Sequence, residues 1–143
     1  MKAAFGKLDP YEFGILPVLV VIQNDGEKSV DLRTITATYV GPNNRRVDAT
    51  PAKEVRYVKG PDRPKTIPNP VGGIGIGKGK KNPLDAWEIE GRSMAAVLLA
   101  PGQTASGFFY FQTGLQTGST IYLNGLKEAG TGKDFFYFEI PLQ

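Results

Sequence analysis

The residues best able to do chemistry are concentrated in one stretch. Residues 59–82 read KGPDRPKTIPNPVGGIGIGKGKKN, with Lys59, Arg63, Lys65, Lys78, Lys80 and Lys81 set against a single acid, Asp62. The stretch carries +5, while the whole chain carries +3, so the remaining residues sum to −2. Positive charge gathered in this way suits an anionic partner: phospholipid headgroups, a cell-envelope polymer or nucleic acid. Lys78, Lys80, Lys81, Lys65 and Arg63 are the candidate anion-binding residues. The plain alternative is a solvated loop whose lysines keep it soluble. No aromatic residue interleaves with these lysines, so stacking on single-stranded bases is not expected and nucleic acid is the least favoured partner.

Other constellations fail on their own chemistry. Gly72, Gly77 and Lys78 match the spacing of a phosphate-binding Walker A loop. However, Gly79 stands where Ser or Thr should hold Mg²⁺, and a Pro-rich stretch precedes the loop instead of a buried strand. Glu88 and Glu90 would lie on one face of a strand, about 7 Å apart at the usual rise per residue. Paired carboxylates can serve glycoside hydrolysis as acid and base. Alternating with Trp87 and Ile89, they read more simply as the wet side of an amphipathic strand. Asn24, Asp25 and Glu27 are too sparse for a calcium loop. Ser106 lies in TASG and not in a GxSxG elbow.

Composition narrows the field further. The chain has no His and no Cys, which removes the usual general base, the Ser–His relay, the thiol nucleophile and the zinc–thiolate site. No catalytic residue, metal site or cofactor is expected. The longest apolar run, residues 15–22, falls well short of the roughly 20 needed to cross a bilayer. The opening MKAAFGKLDP has no apolar core of a signal peptide.

The elements that must position the basic stretch are strands. At 143 residues, with 18 Gly and 11 Pro, the chain suits one domain with many turns. Residues 14–40 read as a central β-hairpin. Its first strand carries Val18, Val20 and Ile22 on one face and Leu19 and Val21 on the other, so it is expected mid-sheet under a cover. Pro17 should face an edge, and Asn24-Asp25-Gly26 should supply the positive-φ turn. The apolar parity switches at Arg33-Thr34. Either a β-bulge lies there, or the strand begins after Leu32.

Gly41 to Asn44 reads as a turn and residues 45–49 as a short strand. Thr50-Pro51 has helix-start chemistry, an N-cap hydroxyl followed by Pro at N1, for a helix over 52–58; the rival is a strand over 54–58. Asn82-Pro83 repeats that chemistry for a helix through Trp87, against a strand over 86–90. Residues 94–99, 106–113, 120–124 and 135–140 read as strands, with Pro101-Gly102 at the centre of a type II turn. The aromatics of 108–111 and 135–137 exceed what one core face needs. A surplus left exposed would mark a protein-binding or oligomer surface; the plain reading is that residues 59–82 and their flanking helices cover it.

Residues 16–40 resemble the opening hairpin of bacterial immunoglobulin-like domains, in which a strand ending in Asn leads through a Gly/Lys turn into a second strand. Residues 100–111 (APGQTASGFFYF) are similar to their later segment, where a Pro-Gly turn precedes an aromatic strand. The nearest likeness is to exported or lipid-anchored bacterial proteins with a single such domain. The resemblance implies an extracytoplasmic location, whether periplasmic, secreted or lipid-anchored, reached by way of a removed leader. It implies no reaction and no site residues.

The resulting expectation is all-β: one immunoglobulin-like β-sandwich of 7–8 strands over 1–143, with a Gly/Pro/Lys-rich insert at 59–82 flanked by short helices. Its function is expected to be non-enzymatic binding or structural work in the cell envelope, against an envelope protein or an anionic surface or polymer. A hydrolase using carboxylates alone is the weaker alternative.

Overall fold

The computed structural model describes residues 5, 8–57, 84, 87–135 and 137–142. These are mostly strands in several antiparallel sheets, with few helices. The strands are β1 (Leu16–Gln23), β2 (Val30–Asp31), β3 (Thr36–Val40), β4 (Arg46–Asp48), β5 (Leu98–Leu99), β6 (Thr104–Phe111), β7 (Thr120–Asn124), β8 (Lys127–Glu128) and β9 (Phe138–Pro141). They form three sheets: β1-β6, β5-β2-β8 and β4-β3-β7-β9.

The expected hairpin over 14–40 does not form. β1 pairs along its whole length with β6, from Leu16 opposite Phe111 to Gln23 opposite Thr104. β2 and β3 belong to two other sheets. An apolar alternation says which face a strand buries but not which strand it joins. At the Arg33-Thr34 switch the chain leaves one sheet and enters another through a turn in which Ile35 N–H donates to the Leu32 carbonyl, 3.2 Å away. No bulge lies there; the strand that carries Ala37 and Tyr39 begins after Leu32, at Thr36.

The turn is pinned by Asp31, whose carboxylate accepts from the backbone and the guanidinium of Arg33. Those bonds hold its pKa down at about 2. The folded value lies below the ordinary carboxylate value, so this contribution to stability is present above the unfolded pKa and fades as pH falls toward 2. Carboxyl NMR titration should find Asp31 at about 2, well below the ordinary carboxylate value, and Arg33→Gln should return it toward that value.

Residues 24–26 are not a positive-φ turn, since among the described residues Asn44 is the one non-glycine at positive φ and Gly26 is not among the positive-φ glycines. The hairpin that does form joins β3 to β4. Its loop is closed by Gly41 N–H to the Arg45 carbonyl at 2.9 Å, with Asn44 left-handed at φ 59°. The turn at Pro101-Gly102 is as expected: Gln103 N–H reaches the Ala100 carbonyl at 3.0 Å and Gly102 takes φ 80°. The strand expected over 94–99 is confined to Leu98–Leu99, and that over 135–140 to Phe138–Pro141.

Two cores use the two faces of the β1–β6 pair. The first gathers Leu16, Val20, Ala105 and Phe111 against Ala37 and Tyr39 of β3 and Ile121 and Leu123 of β7. The second gathers Phe5, Leu8, Ile15, Val55, Leu84, Ile89 and Tyr110 on the opposite face. Each fully buried side chain of this size contributes about 1.5–3 kcal/mol. The cover over the second face is partial, because Leu19 and Val21 stay more than half exposed. β1 is also an edge strand and not a central one: among the described residues only β6 pairs with it. Asn24 N–H donates to the Gln103 carbonyl, so alternation points the even residues of β1 at β6 and turns Pro17, Leu19 and Val21 outward. Pro17, having no N–H, faces the edge as expected.

Candidate functional site

Lys78, Lys80, Lys81, Lys65 and Arg63 lie outside the described residues, as does the whole insert 59–82. The structure does describe the residues on either side of it. Residues Ala52–Tyr57 form a 3-10 helix, and Trp87–Gly91 a short α-helix, α1. Both strand rivals are overturned, but α1 begins at Trp87, where the expected helix ends, and the Asn82-Pro83 start lies outside the described residues. Pro51 supplies the first; Ile89 inward and Trp87 outward show helical and not alternating periodicity in the second.

The two short helices, which precede and follow residues 58–86 in the chain, clamp onto each other. Val55 (0% exposed) and Ile89 (1%) enter the same core. Arg56 Nη2 meets Glu90 Oε1 at 2.7 Å across the pair. Below them Tyr110 of β6 donates its hydroxyl to the Ile89 carbonyl at 2.6 Å. Burial pushes the Tyr110 hydroxyl well above its ordinary pKa, so it stays a donor at any physiological pH. Phe5 lies against both rings, 4.9 Å from Phe108 and 6.1 Å from Tyr110 between centroids.

On the solvent side of this clamp stand Tyr57, 69% exposed, and Trp87, 72% exposed. They immediately flank residues 58–86 and the charge those residues carry. The Trp87 ring packs against Gly91, where an added Cβ would sit 3.1 Å from it. Among the described residues there are nine bases against twelve acids, whereas residues 58–86 hold six bases against Asp62 and Asp85.

Glu88 and Glu90, two residues apart on a helix, point away from each other and do not share a face. Neither lines the main cavities, and Glu90 is engaged by Arg56. One cavity, of about 560 Å³, lies where β4 crosses to β6, with Thr38, Asp48, Thr50 and Ser93 among its walls; Asp48 accepts from Thr38 at 3.0 Å. A second, of about 470 Å³, opens between the end of β1 and β9, lined by Ile22, Leu99, Leu126, Phe135 and Phe138, with the Lys28–Glu128 ion pair (2.9 Å) among its groups. Among the described residues no cluster of three or more acidic, His or Cys side chains could hold a metal, and no helix is long and apolar enough to cross a membrane.

The exposure of Trp87 is not legible from sequence, because neither a helix ending at Trp87 nor a strand over 86–90 fixes which side of the chain its ring takes. No protein-family model, no curated protein and no solved structure matches the chain.

Proposed function

We propose that the chain is a non-enzymatic binding module of immunoglobulin-like β-sandwich architecture, working outside the cytoplasm at the bacterial cell envelope, and that its ligand is an anionic surface. The observation that supports this reading is the clamp. It brings together two helices whose exposed rings, Tyr57 and Trp87, flank in sequence a segment of net positive charge. Amphipathic rings of Tyr and Trp favour the headgroup level of a membrane, and lysines beside them add electrostatic attraction. Lys78, Lys80 and Lys81 supply the densest part of that charge, with Lys65 and Arg63 behind them.

Each lysine near an anionic surface contributes about 1 kcal/mol. Reversing Lys78, Lys80 and Lys81 to Glu should therefore weaken partition onto phosphatidylglycerol vesicles by roughly 100-fold or more. Co-sedimentation reads this directly, and added salt should reduce wild-type retention in the same way. Equal retention of wild type and triple variant, or equal retention on phosphatidylcholine vesicles, removes the reading.

A further inference from the structure

The four-stranded sheet ends on β9, and among the described residues nothing pairs with its outer edge. The direction of its backbone groups follows from two facts. Pro141 lies opposite Thr120 and has no N–H, so that pair cannot exchange two hydrogen bonds. Leu142 N–H donates to the Ser119 carbonyl at 2.8 Å. Even-numbered residues therefore point at β7, and the N–H and C=O of Tyr137 and Glu139 point outward. The side chains here are apolar and exposed. Phe138 (46%) and Ile140 (41%) lie on the face of buried Leu123 and Ile121. Tyr137 lies on the other face, its ring 5.6 Å from that of Tyr122. Natural edge strands are commonly blunted by lysines or bulges; Phe138–Pro141 contains no lysine.

We propose that this edge pairs with a second copy of itself, antiparallel about a two-fold axis centred on Phe138. Only registers that oppose outward residues to outward residues can bond. Centring on Ile140 would bring Pro141, which has no donor, into a bonded pair. Centring on Glu139 would oppose two carboxylates, which is destabilising. Centring on Phe138 places Tyr137 opposite the partner's Glu139 on both sides. Two complete bonded pairs then form, with a tyrosine facing a carboxylate in each. That juxtaposition repeats within the chain, where Tyr122 lies directly opposite Glu139 across β7 and β9. It also brings the two Phe138 residues together at the close, non-hydrogen-bonded position, covering the most exposed apolar part of the strand.

The chain has no cysteine, so a single introduced thiol reports the register cleanly. At a non-hydrogen-bonded pair the Cα atoms lie about 4.5 Å apart, within disulfide range. Phe138→Cys should cross-link to a dimer under mild oxidation. Ile140→Cys, whose two copies would lie about 13 Å apart, should not. Unmodified protein should sediment as a dimer that dissociates on dilution, and Glu139→Pro, which removes an outward N–H, should sediment as a monomer. A wild-type protein monomeric throughout the micromolar range, or an Ile140→Cys variant that cross-links as readily as Phe138→Cys, would overturn the proposal. Neither readout involves the basic insert, so failure here leaves the surface-binding reading standing, and the reverse also holds.

Discussion

Gly107→Ala is expected to lower stability by roughly 3–5 kcal/mol, most of what a small domain has to spare. An ideal Cβ on Gly107 falls 2.3 Å from Met94 Cα, 2.5 Å from Met94 N and 2.9 Å from Ser93 C. These are backbone atoms, so no rotamer change relieves the contact. The segment leaving α1 must move off β6. That breaks the Phe108 N–H bond to the Arg92 carbonyl (2.8 Å) and the Met94 N–H bond to the Phe108 carbonyl (3.1 Å). Two backbone bonds at about 1 kcal/mol each add to about 1–3 kcal/mol of overpacking. Urea melts should show the midpoint falling sharply. Ser106→Ala, one residue away and exposed, should stay within about 0.5 kcal/mol of wild type. Because α1 hangs from this segment, partial unfolding should begin there. Trp87 emission and far-UV circular dichroism would then cease to report a single transition.

Asn24→Ala should cost roughly 2–4 kcal/mol for a different reason. Asn24 is buried at the end of β1, and its amide makes three bonds: Nδ2 donates to the Lys28 carbonyl (2.8 Å) and the Leu99 carbonyl (3.0 Å), and Oδ1 accepts from Gly26 N–H (3.0 Å). Truncation leaves a carbonyl at buried Leu99 and two loop groups without those partners. Asn24→Asp separates this from simple loss of volume. It aims an acceptor at two carbonyl oxygens, so the charged form is disfavoured and the folded pKa rises above the unfolded value. The folded state then holds the proton more tightly, and stability must fall as pH rises through that range and recover on acidification. The alanine variant should lack this recovery, which chemical denaturation at a series of pH values would reveal.

These two sites mark where sequence reading stops. Local chemistry was legible. Thr120–Asn124 appears within its expected bounds, the Ala100–Gln103 turn has its Gly at positive φ, and Pro51 opens a helical turn. All three depend on residues next to one another in the chain. Partner choice was not legible. Residues 14–40 look like a hairpin because the two apolar runs are adjacent and separated by Asn-Asp-Gly. Yet β1 gains a strand-long partner in β6, whose Phe109 and Phe111 complete the face begun by Leu16 and Val18. Asn24 was read as a turn residue, when its amide bonds to Leu99, 75 positions away. Nothing local distinguishes those roles.

The candidate site divides in the same way. The charge of 59–82 could be counted from composition. The clamp that flanks it in sequence could not, because Arg56 and Glu90 are 34 positions apart and Tyr110 meets Ile89 from β6. The shared face expected for Glu88 and Glu90 is lost for a related reason. Strand geometry would align Glu88 with Glu90, whereas helix geometry separates them, and the sequence over 86–90 suited both.

Trp87 is the one tryptophan in the chain and is 72% exposed beside the insert, so its fluorescence tests the central claim most directly. On titration with phosphatidylglycerol vesicles, the emission should shift to the blue and gain intensity as the ring enters the headgroup region. The shift should be reversed by salt and absent from the Lys78→Glu, Lys80→Glu, Lys81→Glu variant. Emission unchanged by anionic vesicles at low salt would contradict the account.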